Sequence, residues 1–319
     1  CSIAELTEEF ASGAAGGAPL PLIHDHVLLR CIGRGGYGVV WLAKSVTGAF
    51  RAVKLVQRQS RGTDRQFERE FAGLKKFEPI SRSHPGLVNI LHVGRNDAAG
   101  YFYYVMELAD DAGEERNGEP REKGRKGERE TTHPASSPVR PFSPAPLRCE
   151  TYCPRTLKEK LTRQQRLSVI ECLQIGLALT SALEHLHRHG LVHRDLKPSN
   201  IIFVGGLPKL ADIGLVAALG EAQSLVGTAG YVPPEGSGTP QADLYSLGKM
   251  LYEACTGLVG ERFPEGPADR MPDAEHLRLS GLLEVIRQAC AGDVRQRYLS
   301  AQAMHGDLLR LLGGAAATL

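Results

Sequence analysis

"LVHRDLKPSNIIF" occupies residues 191–203, and "ADIG" follows at 211–214. An apolar, strand-like run is interrupted here by His193, Arg194, Asp195, Lys197 and Asn200. Polar and charged groups among apolar neighbours are costly unless they are paired or have chemistry to perform. Asp195, Lys197 and Asn200 are spaced to converge from one loop. An aspartate in that loop can orient a hydroxyl and accept its proton. Lys197 can neutralise charge on a transferring phosphoryl group, and Asn200 and Asp212 can offer oxygens to a hard cation. Gly214 gives the second stretch backbone freedom.

Working outward toward the N-terminus, residues 22–106 have a strand-like texture: "HVLLRCIG", "GVVWLAKS", "FRAVKLVQ", "LVNILHVG" and "YFYYVMEL". One helix interrupts them, "RQFEREFAGLKKFEPI", where Phe67, Phe71 and Leu74 recur at helical spacing and Pro79 is expected to end it. In "IGRGGYGVVWLAKS", Gly33, Gly35 and Gly38 stand between two strands. Glycines let backbone amides approach phosphates, although a plain hairpin turn uses them too. A dinucleotide-binding turn requires a helix after the third glycine, and a β-branched strand follows instead. Lys54 lies within the apolar strand "FRAVKLV". It is either a surface lysine on a polar face or the partner of an inward-pointing acid. Glu70, flanked by Phe67, Phe71 and Leu74, is such an acid, with Glu68 nearby on the same helix.

Downstream, residues 110–154 are charged, then Pro/Ser-rich, and nearly empty of aliphatics, which predicts a flexible insert. Beyond residue 155 the texture is helical: "RLSVIECLQIGLALTSALEHLHRHG", "ADLYSLGKMLYEACTG", "GLLEVIRQACAG" and "AQAMHGDLLRLL", the first two closing on Gly190 and Gly257. The expected organisation is a leader at 1–21, a β-rich lobe at 22–109, the insert at 110–154, a helical lobe at 155–313 and a tail at 314–319. The 319 residues suffice for one large domain or two modest lobes, and a net charge of +2 implies no nucleic-acid partner. Seven scattered cysteines favour a reducing compartment. Cys149 and Cys153 lack a matching second pair for zinc, and His185, His187 and His189, spaced by two, scatter around a helix. No run reaches the length of a membrane span. The chain therefore reads as cytoplasmic, or as the cytosolic domain of a longer, membrane-attached protein.

The Gly-rich loop, "AVK", "HRDLKPSN", "DIG" and "GTAGYVPPE" appear in an order that resembles the eukaryotic-type (Hanks-type) serine/threonine protein kinases. The resemblance runs from about residue 24 to residue 312, broken only by the insert. "ELADD", "PRTLKEKL" and "DIGLV" are most similar in texture to bacterial members. It implies an α+β bilobal fold, an antiparallel β-rich N-lobe and a mainly helical C-lobe, with ATP and Mg²⁺ (or Mn²⁺ in its place) in the cleft. It implies that Ile32, Gly33, Gly35, Gly36 and Gly38 cover the ATP phosphates, and that Val40 and Ala52 enclose the adenine from above. Lys54 would hold the α- and β-phosphates and pair with Glu70. Met106 would be the gatekeeper, Glu107 and Leu108 would lead into the hinge, and Ile202 would pack below the adenine. Asp195 would be the base-like residue, with Lys197 beside it, and Asn200 and Asp212 would hold the metal. His193 would be packed structure rather than a base. Glu235 would pair with Arg297, and Asp243 would anchor the catalytic loop.

Two residues depart from the family pattern. Ile213 stands where the family usually has Phe, and Pro233 where it has Ala; neither change removes a charged group. Thr228 resembles the residue that ties the activation segment to Asp195 and Lys197. Arg194 would help clamp a phosphate on that segment, where Ser224 is the candidate autophosphorylation site. The implied partner is a protein with a Ser/Thr acceptor, and a dimer would serve autophosphorylation. The rival reading is a pseudokinase or scaffold that binds ATP without turnover.

Overall fold

The computed structural model describes residues 21–35, 38–58, 64–113, 147–218, 227–265 and 273–313. Five strands form one antiparallel sheet: β1 (His26–Gly35), β2 (Gly38–Ser45), β3 (Phe50–Gln57), β4 (Ile90–Asn96) and β5 (Tyr101–Met106), in the order β1-β2-β3-β5-β4. In this register Lys54 on the central strand β3 lies opposite Val40 on β2 and Tyr104 on β5. One face of the sheet is covered by helix α1 (Asp64–Ser81), whose Phe67, Leu74 and Phe77 are buried with Phe102 and Tyr104. Both faces of β3 are therefore enclosed, and a polar group on it needs a partner.

Helix α1 passes Pro79 and ends at Ser81, two residues beyond the predicted stop. A proline in a last turn forfeits only one amide bond, and the final carbonyls find other donors. Ser81 Oγ donates to the Glu78 carbonyl at 2.7 Å, and Ser83 Oγ to that of Ile80 at 2.7 Å.

The helical lobe contains α2 (Leu157–Gln164), α3 (Val169–Arg188), α4 (Pro240–Thr256), α5 (Asp273–Ala289) and α6 (Ala301–Leu312). Periodicity did not suggest α2, a helix of only two turns. Its signal is local: Thr156 accepts from the Glu159 amide at 3.0 Å, which satisfies one orphan donor. Helix α3 opens on a Ser168–Glu171 capping box and closes at Gly190, where φ is +70°. Such caps stabilise a helix end by about 1 kcal/mol. Length and hydropathy alone would let α3 cross a membrane, but Leu173, Leu179 and Leu183 on it are fully buried against the helical core.

The helical lobe also carries two short two-stranded sheets, of which only the second is a hairpin. β6 (Leu191–Val192) pairs with β9 (Ala217–Ala218), and β7 (Ile201–Val204) with β8 (Leu207–Leu210). They bracket the loop that carries Asp195 and deliver Asp212 immediately after β8. Both ends of the expected insert, residues 110–113 and 147–154, are among the described residues. Asp111 bridges Pro154, and Tyr152 is only 2% exposed. Backbone pairing and one buried aromatic ring order residues 110–113 and 147–154 despite their charged surroundings.

Candidate active site

A cavity of about 320 Å³ opens between the sheet and the helical lobe. Ile32, Gly33, Gly35, Gly38, Val40 and Ala52 line its roof, and Met106, Glu107 and Leu108 its back. Ile202 and Ala211 belong to its floor, while Lys54, Lys197, Asn200 and Asp212 supply its charged and polar groups. Gly36 lies outside the described residues. At Gly38 φ is +139°, and a Cβ there would stand 2.3 Å from the Leu55 carbonyl, so only glycine brings β2 this close to β3.

At the inner end of the cavity Lys54 Nζ lies 2.5 Å from Asp212 Oδ1 and 3.6 Å from Glu70 Oε1. Burial alone would lower the Lys54 pKa; Tyr104, Asp212 and Glu70 around it reverse that and hold the ammonium well above its ordinary range. Burial would raise Asp212, but the Lys54 charge beside it keeps that carboxyl below its ordinary value. Glu70 is more deeply enclosed. Burial pushes it up to about 7, against the pull of Lys54. Gly214 presses on the trio: a Cβ there would lie 2.7 Å from Glu70 Oε1 and 3.2 Å from Lys54 Nζ. Gly73 on α1 does the same for the following segment, since a Cβ would meet the Val216 carbonyl at 2.2 Å. The helix bearing Glu70 thus rests directly on the chain that leaves Asp212.

The raised Glu70 carboxyl predicts a pH-dependent stability. Folded Glu70 binds its proton more tightly than the unfolded chain, whose value is near 4.5. This contribution is fully present below about 4.5 and is lost as pH rises through about 7. The melting temperature of the wild type relative to Glu70→Gln should therefore fall between about pH 5 and about pH 8. A difference that stays flat or grows over this window would refute it.

At the outer end Asp195, Lys197 and Thr228 form a closed triangle. Lys197 Nζ donates to Asp195 Oδ2 at 2.8 Å and to Thr228 Oγ1 at 2.7 Å, and the Thr228 hydroxyl donates to Asp195 Oδ1 at 2.7 Å. Asn200 Nδ2 donates to the Asp195 carbonyl at 2.7 Å and to Oδ2 at 3.0 Å. Beneath this loop Asp243 of α4, 1% exposed, accepts from the amides of His193 (2.8 Å) and Arg194 (2.9 Å) and from His187 Nε2 (2.9 Å). These bonds hold Arg194 in the left-handed region, at φ +72°. His193 is buried, with Nε2 donating to the Ala211 carbonyl at 3.1 Å. Arg297, also buried, makes a two-pronged bond to Glu235. Ile213 is buried, and Ser224 lies outside the described residues.

Several contributors escaped sequence reasoning. Lys209 on β8 reaches Glu107 at 2.7 Å, and the same carboxylate accepts from the Asn89 amide at 2.8 Å, fastening the back of the cavity to both lobes. No motif marks Lys209. Tyr104, Tyr152, Pro154 and Thr156 also line the cavity, Tyr152 and Pro154 from the end of the expected insert and Thr156 from just beyond it. His187, grouped in sequence with His185 and His189, instead belongs to the Asp243 anchor. His185 and His189 lie against each other with tilted rings, centroids 4.5 Å apart. Glu68 faces outward and pairs with Arg95 at 2.6 Å. No cluster of three or more His, Cys, Asp or Glu suited to a metal occurs among the described residues.

A sheet-bearing lobe and a helical lobe, closing on a cavity with an inner lysine–carboxylate pair and an outer aspartate–lysine–threonine triangle, define a protein kinase domain. A family model described as a protein kinase domain matches residues 147–271. The chain is 26% identical over 311 residues to a probable serine/threonine-protein kinase of Clostridium perfringens, covering 89% of this chain and 38% of that protein. It is 27% identical over 302 residues to serine/threonine-protein kinase PrkC of Bacillus subtilis, covering 88% and 39%. It is also 34% identical over 174 residues to serine/threonine-protein kinase PknL of Mycobacterium tuberculosis, covering 48% and 43%. The chain spans about two fifths of the length of these curated relatives. With the ordered motifs, these similarities liken the chain to Hanks-type protein kinases, and to bacterial serine/threonine kinases among them.

Proposed function

We propose that this domain transfers the γ-phosphoryl group of ATP to serine or threonine hydroxyls of proteins, its own chain among them. The observation that carries the reading is the Asp195–Lys197–Thr228 triangle at the mouth of a cavity whose far end holds Lys54 and Asp212. Phosphoryl transfer needs positioning and charge stabilisation more than covalent participation, and these groups supply both. Lys54 would bind phosphate oxygens, held in place by Glu70. Asp195 would orient the acceptor hydroxyl and take its proton. Lys197, already bonded to Asp195, would offset charge that develops at the transferring group.

Asn200 and Asp212 fit a hard divalent cation such as Mg²⁺. Both offer oxygens, both line the cavity, and the Asn200 amide nitrogen is turned to Asp195, while its Oδ1 accepts only a long bond from the Ser199 hydroxyl at 3.4 Å and has a lone pair to offer a cation. A bound cation would neutralise phosphate charge. Thr228 would orient Asp195 and so couple the activation segment to the reaction. A protein substrate follows from this chemistry, and Ser224 remains the autophosphorylation proposal, with Arg194 as the residue that would clamp its phosphate. Transfer from labelled ATP with Mg²⁺ to the protein or to a generic basic acceptor tests the function. Incorporation should fall by about a hundred-fold or more in Lys54→Ala. Wild-type protein that binds ATP yet transfers nothing, after phosphatase treatment as well, would instead make the domain a nucleotide-binding scaffold.

A further inference from the structure

The cavity has a wall that its motifs do not account for. Residues 147–154 return from the insert and cross the edge of the cleft between β1 and the segment that follows β5. Arg30 on β1 donates from Nε to the Cys149 carbonyl at 3.1 Å and from its other nitrogen to the Tyr152 carbonyl. At the opposite edge the Tyr152 hydroxyl donates to the Ala109 carbonyl at 3.0 Å. Two backbone bonds close the root of the insert: the Ala112 amide to the Cys153 carbonyl at 2.9 Å, and the Arg155 amide to the Asp110 carbonyl at 2.9 Å. Tyr152 is 2% exposed, and with Pro154 and Thr156 it lines the same cavity as Lys54. One residue thus joins roof and back across an edge of the cleft.

Charge decides which part of a ligand meets this wall. The inner end holds Lys54 and can take phosphates. Tyr152, tied to Ala109, stands with Ile32 and Leu108 among the apolar groups at the other end, where a flat heterocycle fits. We propose that Tyr152 is a specificity-determining residue for the nucleotide, a buried aromatic wall that limits the size of the base. This rests on the nucleotide reading above and deepens it. The ring is already covered by protein, so it lends a base little contact area; its bulk excludes a base enlarged toward the hinge segment. Its hydroxyl fixes the ring's position, and Arg30 fixes the backbone that bears it.

Direct binding separates the wall from the catalytic machinery. The probes are ATP and two ATP analogues, one carrying a benzyl group at N6 and one at C2, measured by calorimetry on the whole chain. Tyr152→Ala should leave ATP within about three-fold of wild type, since the buried ring lends the base little contact area. At least one analogue should gain about ten-fold relative to ATP in the same variant. Tyr152→Phe, which keeps the ring and loses only the bond to Ala109, should stay within about three-fold of wild type for ATP and exclude both analogues. If Tyr152→Ala binds ATP and both analogues as wild type does, the wall is wrong and the nucleotide reading survives. Equal weakening toward all three ligands in Tyr152→Ala and Tyr152→Phe, with a lowered melting temperature, would make the residue a structural staple and also overturn the proposal. Wild-type protein without saturable ATP binding would overturn the nucleotide reading itself, and the wall with it.

Discussion

Asp195→Asn is expected to lower phosphoryl transfer by about a thousand-fold or more while leaving ATP affinity within about three-fold of wild type. The volume barely changes, but the hydrogen-bond polarity does. Asp195 Oδ1 accepts from the Thr228 hydroxyl, and Oδ2 accepts from both Lys197 and Asn200. An asparagine must turn an NH₂ toward one set of these donors, so at least one of the contacts becomes donor against donor. It also loses the carboxylate that would take the acceptor's proton. ATP should remain bound because Lys54 and the roof are untouched. Labelled-ATP transfer and calorimetry on the same preparation check both halves. A variant retaining more than about a tenth of wild-type transfer would remove Asp195 from its proposed role.

Asp243→Ala is expected to destabilise the domain by on the order of 3 to 5 kcal/mol, a large part of what a domain has to lose. Three donors converge on this carboxylate, two of them backbone amides of the loop that carries Asp195. Truncation strands those amides in a buried site, and each buried orphan costs about 1 to 3 kcal/mol. The loop would also lose what holds Arg194 in its left-handed conformation, so transfer should fall even in the fraction that remains folded. Asp243→Asn, which keeps one acceptor oxygen, should fall between the two. Thermal melts of all three proteins provide the test. An alanine variant that melts within a degree or two of wild type would show that the loop is held by something else.

The bilobal organisation was legible because hydrophobic periodicity changes from two to nearly four at one place in the chain. Lys54 could be singled out because a charged residue inside an apolar strand is rare enough to demand a partner. Glu70 could be proposed as that partner because Phe67, Phe71 and Leu74 fix which side of the helix faces inward. Helix α2 escaped because eight residues carry too little periodicity to stand out. Lys209 escaped because its role depends on the pairing of β7 with β8, which no local pattern announces.

The sequence alone thus determined what is local or strictly ordered: strand and helix texture, the caps at Gly190 and Gly257, and the succession of charged motifs. Tertiary structure alone decided which groups meet. Lys54 contacts Asp212 across 158 positions of sequence, and Thr228 meets Asp195 across 33. The ordered strip at 147–154 is the clearest case. Its composition is that of a loop, and bonds from Arg30, to Ala109 and across the Asp110–Ala112 strip hold Tyr152 in the cavity wall. Local propensity encodes the conformation of a segment; the partners that offset the cost of ordering it lie elsewhere in the chain.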